Sequence, residues 1–115
     1  MMSAEQGAFR ALADPTRRQI LMHLGSSDMT IAEVSGQFDM TRGAVRKHLS
    51  ILEEGNLISV HPRGRERINR LAPDGIKAAA DWLNYFNRFW DEKLGALQTA
   101  IENQQANESD QDNEQ

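Results

Sequence analysis

Apolar residues between Thr30 and Leu57 recur in two short helical runs with a break between them. Ile31, Val34 and Phe38 stand at i, i+3 and i+7, one face over about two turns. Thr30 can cap this first helix, and Glu33 three residues on completes an S/T-x-x-E capping box. Asp39-Met40 interrupts the period, and Thr41 is a second N-cap candidate. In the helix that follows, Val45, Leu49 and Leu52 form the apolar face. Arg42, Arg46 and Ser50 repeat at i, i+4 and i+8 on another face, with Gly43 and Lys47 beside them. Gly55-Asn56 ends the run.

The flanks extend this pattern. Phe9, Leu12 and Ala13 fit a short helix, and Asp14-Pro15 starts another, with Asp as N-cap and Pro at the first helical position. Ile20, Leu21 and Leu24 are its core face, and Gly25-Ser26-Ser27 ends it. Arg17 and Arg18 on this helix are either solvated or reach a phosphate. Downstream, Leu57 to Val60 and Glu66 to Leu71 read as strands around the turn signal His61-Pro62-Arg63-Gly64-Arg65. The resulting β-hairpin carries Arg63 and Arg65 at its tip and Arg67 just behind. From Ala72-Pro73-Asp74 a last helix carries Ile76, Ala79, Leu83, Phe86, Trp90, Leu94, Leu97 and Ile101 in one stripe, widened by Trp82, Tyr85 and Phe89. That arc is too wide for one small core, so part of it is expected to meet a second copy. A cofactor pocket or an apolar-ligand groove is the alternative. Residues 103–115 are polar and acidic and predict a disordered tail. The expected organisation is a mainly α domain with a small β-hairpin over residues 1–102, followed by that tail.

A helix with cations and small residues on the face away from its core suits a DNA major groove, and an arginine-tipped hairpin suits the adjacent minor groove. The net charge of −4 speaks against this until it is divided. From Arg10 to Arg70 ten Arg/Lys face seven Asp/Glu, whereas Thr99 to Gln115 holds five acids and no base. At 115 residues the chain is one domain with a modest core. It has no cysteine, so disulfides and thiolate metal sites are excluded. His23, His48 and His61 fall in three different elements, so no metal site is expected. No repeat, Gly-rich phosphate loop or membrane-length apolar run is present, and the start lacks a signal peptide's apolar stretch, so a cytoplasmic protein is expected. Glu53-Glu54 is the only acidic doublet near the central pair. No paired carboxylate, Ser/His/Asp set or Cys nucleophile stands in a workable arrangement, which speaks against an enzyme, and no cofactor is expected.

Taken together, A-L-A-D-P-T-R-R-Q-I-L (Ala11 to Leu21), A-V-R-K-H-L-S-I-L-E-E-G-N-L-I (Ala44 to Ile58) and R-G-R-E-R (Arg63 to Arg67) resemble the ArsR family of winged helix-turn-helix transcriptional repressors. Asp81-Trp82-Leu83 and Arg88-Phe89-Trp90-Asp91-Glu92-Lys93-Leu94 are similar to the SdpR-like branch of autorepressors. The resemblance covers roughly residues 8–102. It implies a homodimer built on the first and last helices, bound to double-stranded DNA at an inverted-repeat operator, with no membrane partner and an inducer that the sequence does not name. Arg42, Gly43 and Arg46 are then expected at base edges. Thr30, Thr41, Lys47, His48 and Ser50 are expected on the recognition helix or at phosphates, and Arg63, Arg65 and Arg67 on the wing. The dimer contact is expected from Phe9, Trp82, Tyr85, Phe86, Phe89, Trp90, Leu94 and Leu97. Asn69 stands where relatives usually have an aromatic residue, and Arg46 where many have serine. Metal-responsive members carry Cys-x-Cys in the first helix of the pair or Asp/His ligands in the last helix. Here Glu33-Val34-Ser35 has no thiol and the last helix no histidine. Two other readings stay open: a winged helix that activates or shapes DNA, and an interaction module that binds no DNA.

Overall fold

The computed structural model describes residues 3–113, with side chains as far as residue 108. The element order is α1 (Ala4–Leu12), α2 (Pro15–Ser26), β1 (Met29–Thr30), α3 (Ile31–Ser35), α4 (Arg42–Glu54), β2 (Ile58–Arg63), β3 (Glu66–Leu71) and α5 (Pro73–Asn113). The helix starts are where polar side chains offer acceptors to free N–H groups. Asp14 accepts from the Arg17 N–H and Thr41 from the Ala44 N–H. Thr30 and Glu33 close a reciprocal capping box, and Ser3 and Gln6 close a second one on α1.

α4 ends in a Schellman motif. The Leu57 N–H reaches the Leu52 carbonyl and the Asn56 N–H the Glu53 carbonyl, both at 3.0 Å. The left-handed residue this motif requires is Asn56, at φ 58°, although Gly55 stands next to it. Gly55 is committed elsewhere: a Cβ there would lie 2.6 Å from the Gly7 carbonyl oxygen. Asn tolerates the left-handed region better than other side chains, so the two residues divide the work.

The sheet is larger than a hairpin. β2 and β3 pair antiparallel from Ile58↔Leu71 to Arg63↔Glu66, and β1 adds to the free edge of β3 through Met29↔Asn69 and Thr30↔Ile68, giving the order β1-β3-β2. Two residues carry no strand periodicity, which is why the sequence pattern passed over β1. The turn residues are Gly64 and Arg65, with positive φ (62°) at Gly64 alone, the type II′ pattern that fits strand twist.

The core gathers Ala8 and Ala11 of α1, Ile20 and Leu24 of α2, Val34, then Val45, Leu49 and Leu52 of α4, with Leu57, Ile58 and Ala79. Phe9, Leu12, Ile31 and Phe38 pack against it part-buried. Phe38 falls beyond the end of α3, so the i+7 position predicted for it on that helix is not helical.

The chain divides into two units between Asp81 and Trp82, inside α5. Beyond that point α5 adds no further core, so the division falls where burial stops. Within the second unit the helix continues through 103–113, most of the segment predicted to be disordered; residues 114–115 lie outside the described residues. No Gly or Pro interrupts the segment, it continues a helix already formed, and the i,i+4 bond from Gln104 to Glu108 supports its first turns, although Asn, Asp and Ser are weak helix formers. Polarity, which argued for disorder, does not by itself oppose a helix.

Candidate nucleic-acid interface

α4 places its residues by helical period. Val45, Leu49 and Leu52 turn inward and are buried. Arg42, Arg46 and Ser50 are exposed on one adjoining face, and Gly43 and Lys47 are exposed beside them. Across from that face stands the β2–β3 hairpin. Arg42, Arg46 and Ser50 line an open cleft of about 370 Å³ together with Arg65 and Arg67. Its floor is apolar, from Ile31, Leu49 and Val60, and Glu53 and Glu66 stand among the arginines. Arg63, which pairs with Glu66 at the hairpin's end, is exposed but does not line the cleft.

The cations sort into two groups by what they touch. Arg10 pairs with Glu54 at 3.3 Å and Arg70 with Asp28 at 2.9 Å. Arg17 donates to the carbonyls of Ala11 (2.7 Å) and Arg10 (3.0 Å), and Arg18 to that of Leu12 (2.8 Å). Both arginines therefore cap the C-terminal end of α1, where orphan carbonyls and the helix dipole favour a positive charge. This resolves the choice between solvation and phosphate contact toward a third role that residue spacing did not reveal. Among the described residues, the side chains of Arg42, Arg46, Lys47, Arg63, Arg65 and Arg67 have no hydrogen-bond or ion-pair partner within the chain. The cations of the cleft and wing are therefore free to meet an external anion, as are Lys77 and Arg88 on α5.

Several expected contacts are placed differently. His48 is on α4 but turns toward the start of α2, where its Nδ1 lies 3.3 Å from Arg17 Nη1 and 4.0 Å from Asp14 Oδ2. It is nearly opposite Arg46 on the helix, because two residues advance about 200°. Thr30 borders the cleft but is buried, with its hydroxyl accepting the Glu33 N–H. Thr41 is exposed, and its hydroxyl, while accepting from Ala44, keeps its own hydrogen to donate. Asn69 is buried under the wing and donates from Nδ2 to the Met29 carbonyl at 3.1 Å, holding β1 against β3. A phenylalanine there would have no donor for that bond.

In the second unit, Tyr85, Phe86, Phe89, Trp90, Leu94 and Leu97 are exposed, as is Trp82. Trp82 stacks on Phe86 at 5.0 Å, Phe86 meets Trp90 edge-on at 5.6 Å, and Lys93 lies 5.7 Å over the Phe89 ring. Phe9, in the first unit, is instead part-buried against the core. Among the described residues no three His, Cys, Asp or Glu side chains converge as metal ligands, and no helix is long and apolar enough to cross a membrane.

Comparison with known proteins decides the lineage. Residues 14–60 match the model of bacterial regulatory proteins of the arsR family. The chain is 33% identical over 81 residues to the transcriptional repressor SdpR of Bacillus subtilis, covering 70% of this chain and 90% of that protein. The chain belongs to the ArsR family. It is also 32% identical over 97 residues to the HTH-type transcriptional regulator Rv2034 of Mycobacterium tuberculosis, covering 84% and 88% of the two chains. The structure superposes on an ArsR-like transcriptional regulator from Rhodococcus sp. RHA1 with a TM-score of 0.71 at 30% identity, over 82% of this chain and 89% of that one. In ArsR terms α3 and α4 are the helix-turn-helix, β2 and β3 the wing, and the protein is a DNA-binding transcription regulator, not an enzyme.

Proposed function

We propose that this ArsR-family regulator is a cytoplasmic homodimeric repressor that grips an inverted-repeat operator and responds to no metal. The observation that carries the reading is the convergence of unpartnered Arg42, Arg46, Arg65 and Arg67 from α4 and the wing on one open cleft, while Arg10, Arg17, Arg18 and Arg70 are tied to the protein. Arg42 and Arg46 meet base edges in the major groove, where a guanidinium can bond two acceptors of guanine. Gly43, where a Cβ would meet only Thr41 Oγ1 at 3.9 Å within the chain, lets the helix backbone approach the DNA. Thr41, Lys47 and Ser50 hold phosphates, and Arg63, Arg65 and Arg67 follow the flanking minor groove. One such helix reads too few base pairs for a specific site, and the exposed aromatic face of α5 provides the contact that joins two. Repression, the activity for which the Bacillus subtilis relative is named, needs nothing beyond tight occupancy of a promoter.

The test uses an operator selected from random duplexes by the wild-type protein. Arg46→Ala is expected to cost about 1–3 kcal/mol on that operator and to relax one base position per half-site. Arg65→Ala is expected to weaken operator and random DNA by similar factors and to flatten the salt dependence. Unchanged operator affinity for Arg46→Ala would remove α4 as the reading element.

A further inference from the structure

Behind the recognition face, a single guanidinium joins three helices. Arg17 at the start of α2 donates from Nε to the Ala11 carbonyl (2.7 Å) and from Nη2 to the Arg10 carbonyl (3.0 Å), both at the end of α1. Its Nη1 lies 3.3 Å from His48 Nδ1, in the middle of α4. Guanidinium has no acceptor, so in this bond Nδ1 must accept, and the imidazole is neutral with its hydrogen on Nε2. Asp14 fixes the arginine's backbone from the other side, taking the Arg17 N–H at 3.1 Å.

We propose that Arg17, acting through His48, is a positioning residue for DNA reading: it sets the rotation of α4 about its own axis without touching DNA. The inference rests on the assignment of α4 as the recognition helix. Val45, Leu49 and Leu52 anchor α4 by apolar contact, which is non-directional and allows a small roll. The Arg17–His48 bond is directional and acts nearly opposite Arg46. A roll of about 10° would carry an arginine tip, about 9 Å from the helix axis, by about 1.5 Å, enough to break a bidentate bond to a base. Long cations on phosphates follow such a shift. Losing the bond therefore degrades discrimination and spares non-specific affinity.

The experiment measures fluorescence anisotropy of the full chain on the selected operator and on random DNA, at two salt concentrations and below each variant's Tm. Arg17→Gln and His48→Leu are expected to weaken the operator about tenfold, leaving random DNA and the salt slope unchanged. His48→Asn, whose side-chain oxygen can occupy the place of Nδ1, is expected to keep most of the discrimination. Nitrogen NMR of the wild type is expected to show His48 Nδ1 as the unprotonated ring nitrogen. If Arg17→Gln does not fold, His48→Leu carries the test, since it leaves both α1 carbonyls capped. Equal losses on both DNAs with a flatter salt slope would make Arg17 a phosphate ligand and overturn the proposal. Unchanged operator affinity in His48→Leu would overturn it too, leaving Arg17 as a cap of α1 alone. Failure of Arg46→Ala to affect the operator would instead remove the recognition-helix assignment beneath it.

Discussion

Single residues in this fold carry duties that their neighbours cannot share. Asp14 is the N-cap of α2, and the Arg17 N–H bonded to its carboxylate, with the Arg17 charge nearby, holds its pKa below the usual carboxylate value. A depressed folded-state value means that ionised Asp14 adds stability above its unfolded value, about pH 4, and that this is lost as pH falls through the lower folded value. Asp14→Ala is expected to cost about 1 kcal/mol in urea unfolding at pH 7, with the gap to wild type narrowing below pH 4. A gap that stays constant down to pH 2 would show that the carboxylate's charge is irrelevant. The cap was legible in Asp-Pro, because capping is local chemistry. The duty of Gly55 was not, because it depends on contact between distant residues. A Cβ on Gly55 would meet the Gly7 carbonyl, and one on Gly75 would lie 2.6 Å from the Asn56 carbonyl oxygen, so α1, the end of α4 and the start of α5 meet backbone to backbone. Gly75→Ala is expected to destabilise the fold by about 1–3 kcal/mol, read as a lower urea midpoint at unchanged m-value.

At the scale of elements, sequence period and structure agree where an element buries a face and diverge where it does not. α2 and α4 start at their expected caps because apolar period and capping point to the same boundaries. β1 was invisible because two residues show no alternation; it exists because Asn69 bonds to Met29 and β3 offers a free edge. His48 could not be placed from spacing alone, since a residue between the core and solvent faces of a helix belongs to either until its neighbours are known. α5 presents the inverse case. Its aromatic stripe was plain in the sequence, yet Tyr85 is 64% exposed and Leu97 56% exposed, more contiguous apolar surface than a soluble monomer ordinarily leaves in water. If that face joins two copies, Trp90→Asp is expected to convert dimer to monomer or aggregate in analytical ultracentrifugation, and operator binding to collapse with it. A wild type that stays monomeric at micromolar concentration while binding its operator tightly would refute the dimer.

The molecule as a whole separates its charges along the chain, and the whole-chain pI of 5.3 conceals this. Six unpartnered cations lie on α4 and the wing, whereas the sequence after Thr99 holds five acids and no base. Division into a basic body and an acidic end was legible from composition; the helical state of that end was not, since composition reports solvation and not backbone geometry. The donor inventory is equally a whole-molecule property, and it frames the last prediction. A regulatory transition-metal site needs about three or four converging imidazole, thiolate or carboxylate ligands. This chain has no cysteine, His23 meets Phe38 ring to ring, His48 is engaged by Arg17, and His61 lies 2.8 Å from Ser59 Oγ. Asp91 and Glu92 on α5 are adjacent, so their side chains diverge. Carboxylates alone would hold hard cations weakly and with little discrimination. The operator complex is therefore expected to keep its fluorescence anisotropy in low micromolar zinc, nickel, copper or arsenite, and with the thiol oxidant diamide. Release by one of these metals, reversed by a chelator, would mean that ligands from two protomers combine across the dimer, and the regulation of this repressor would have to be rebuilt around that shared site.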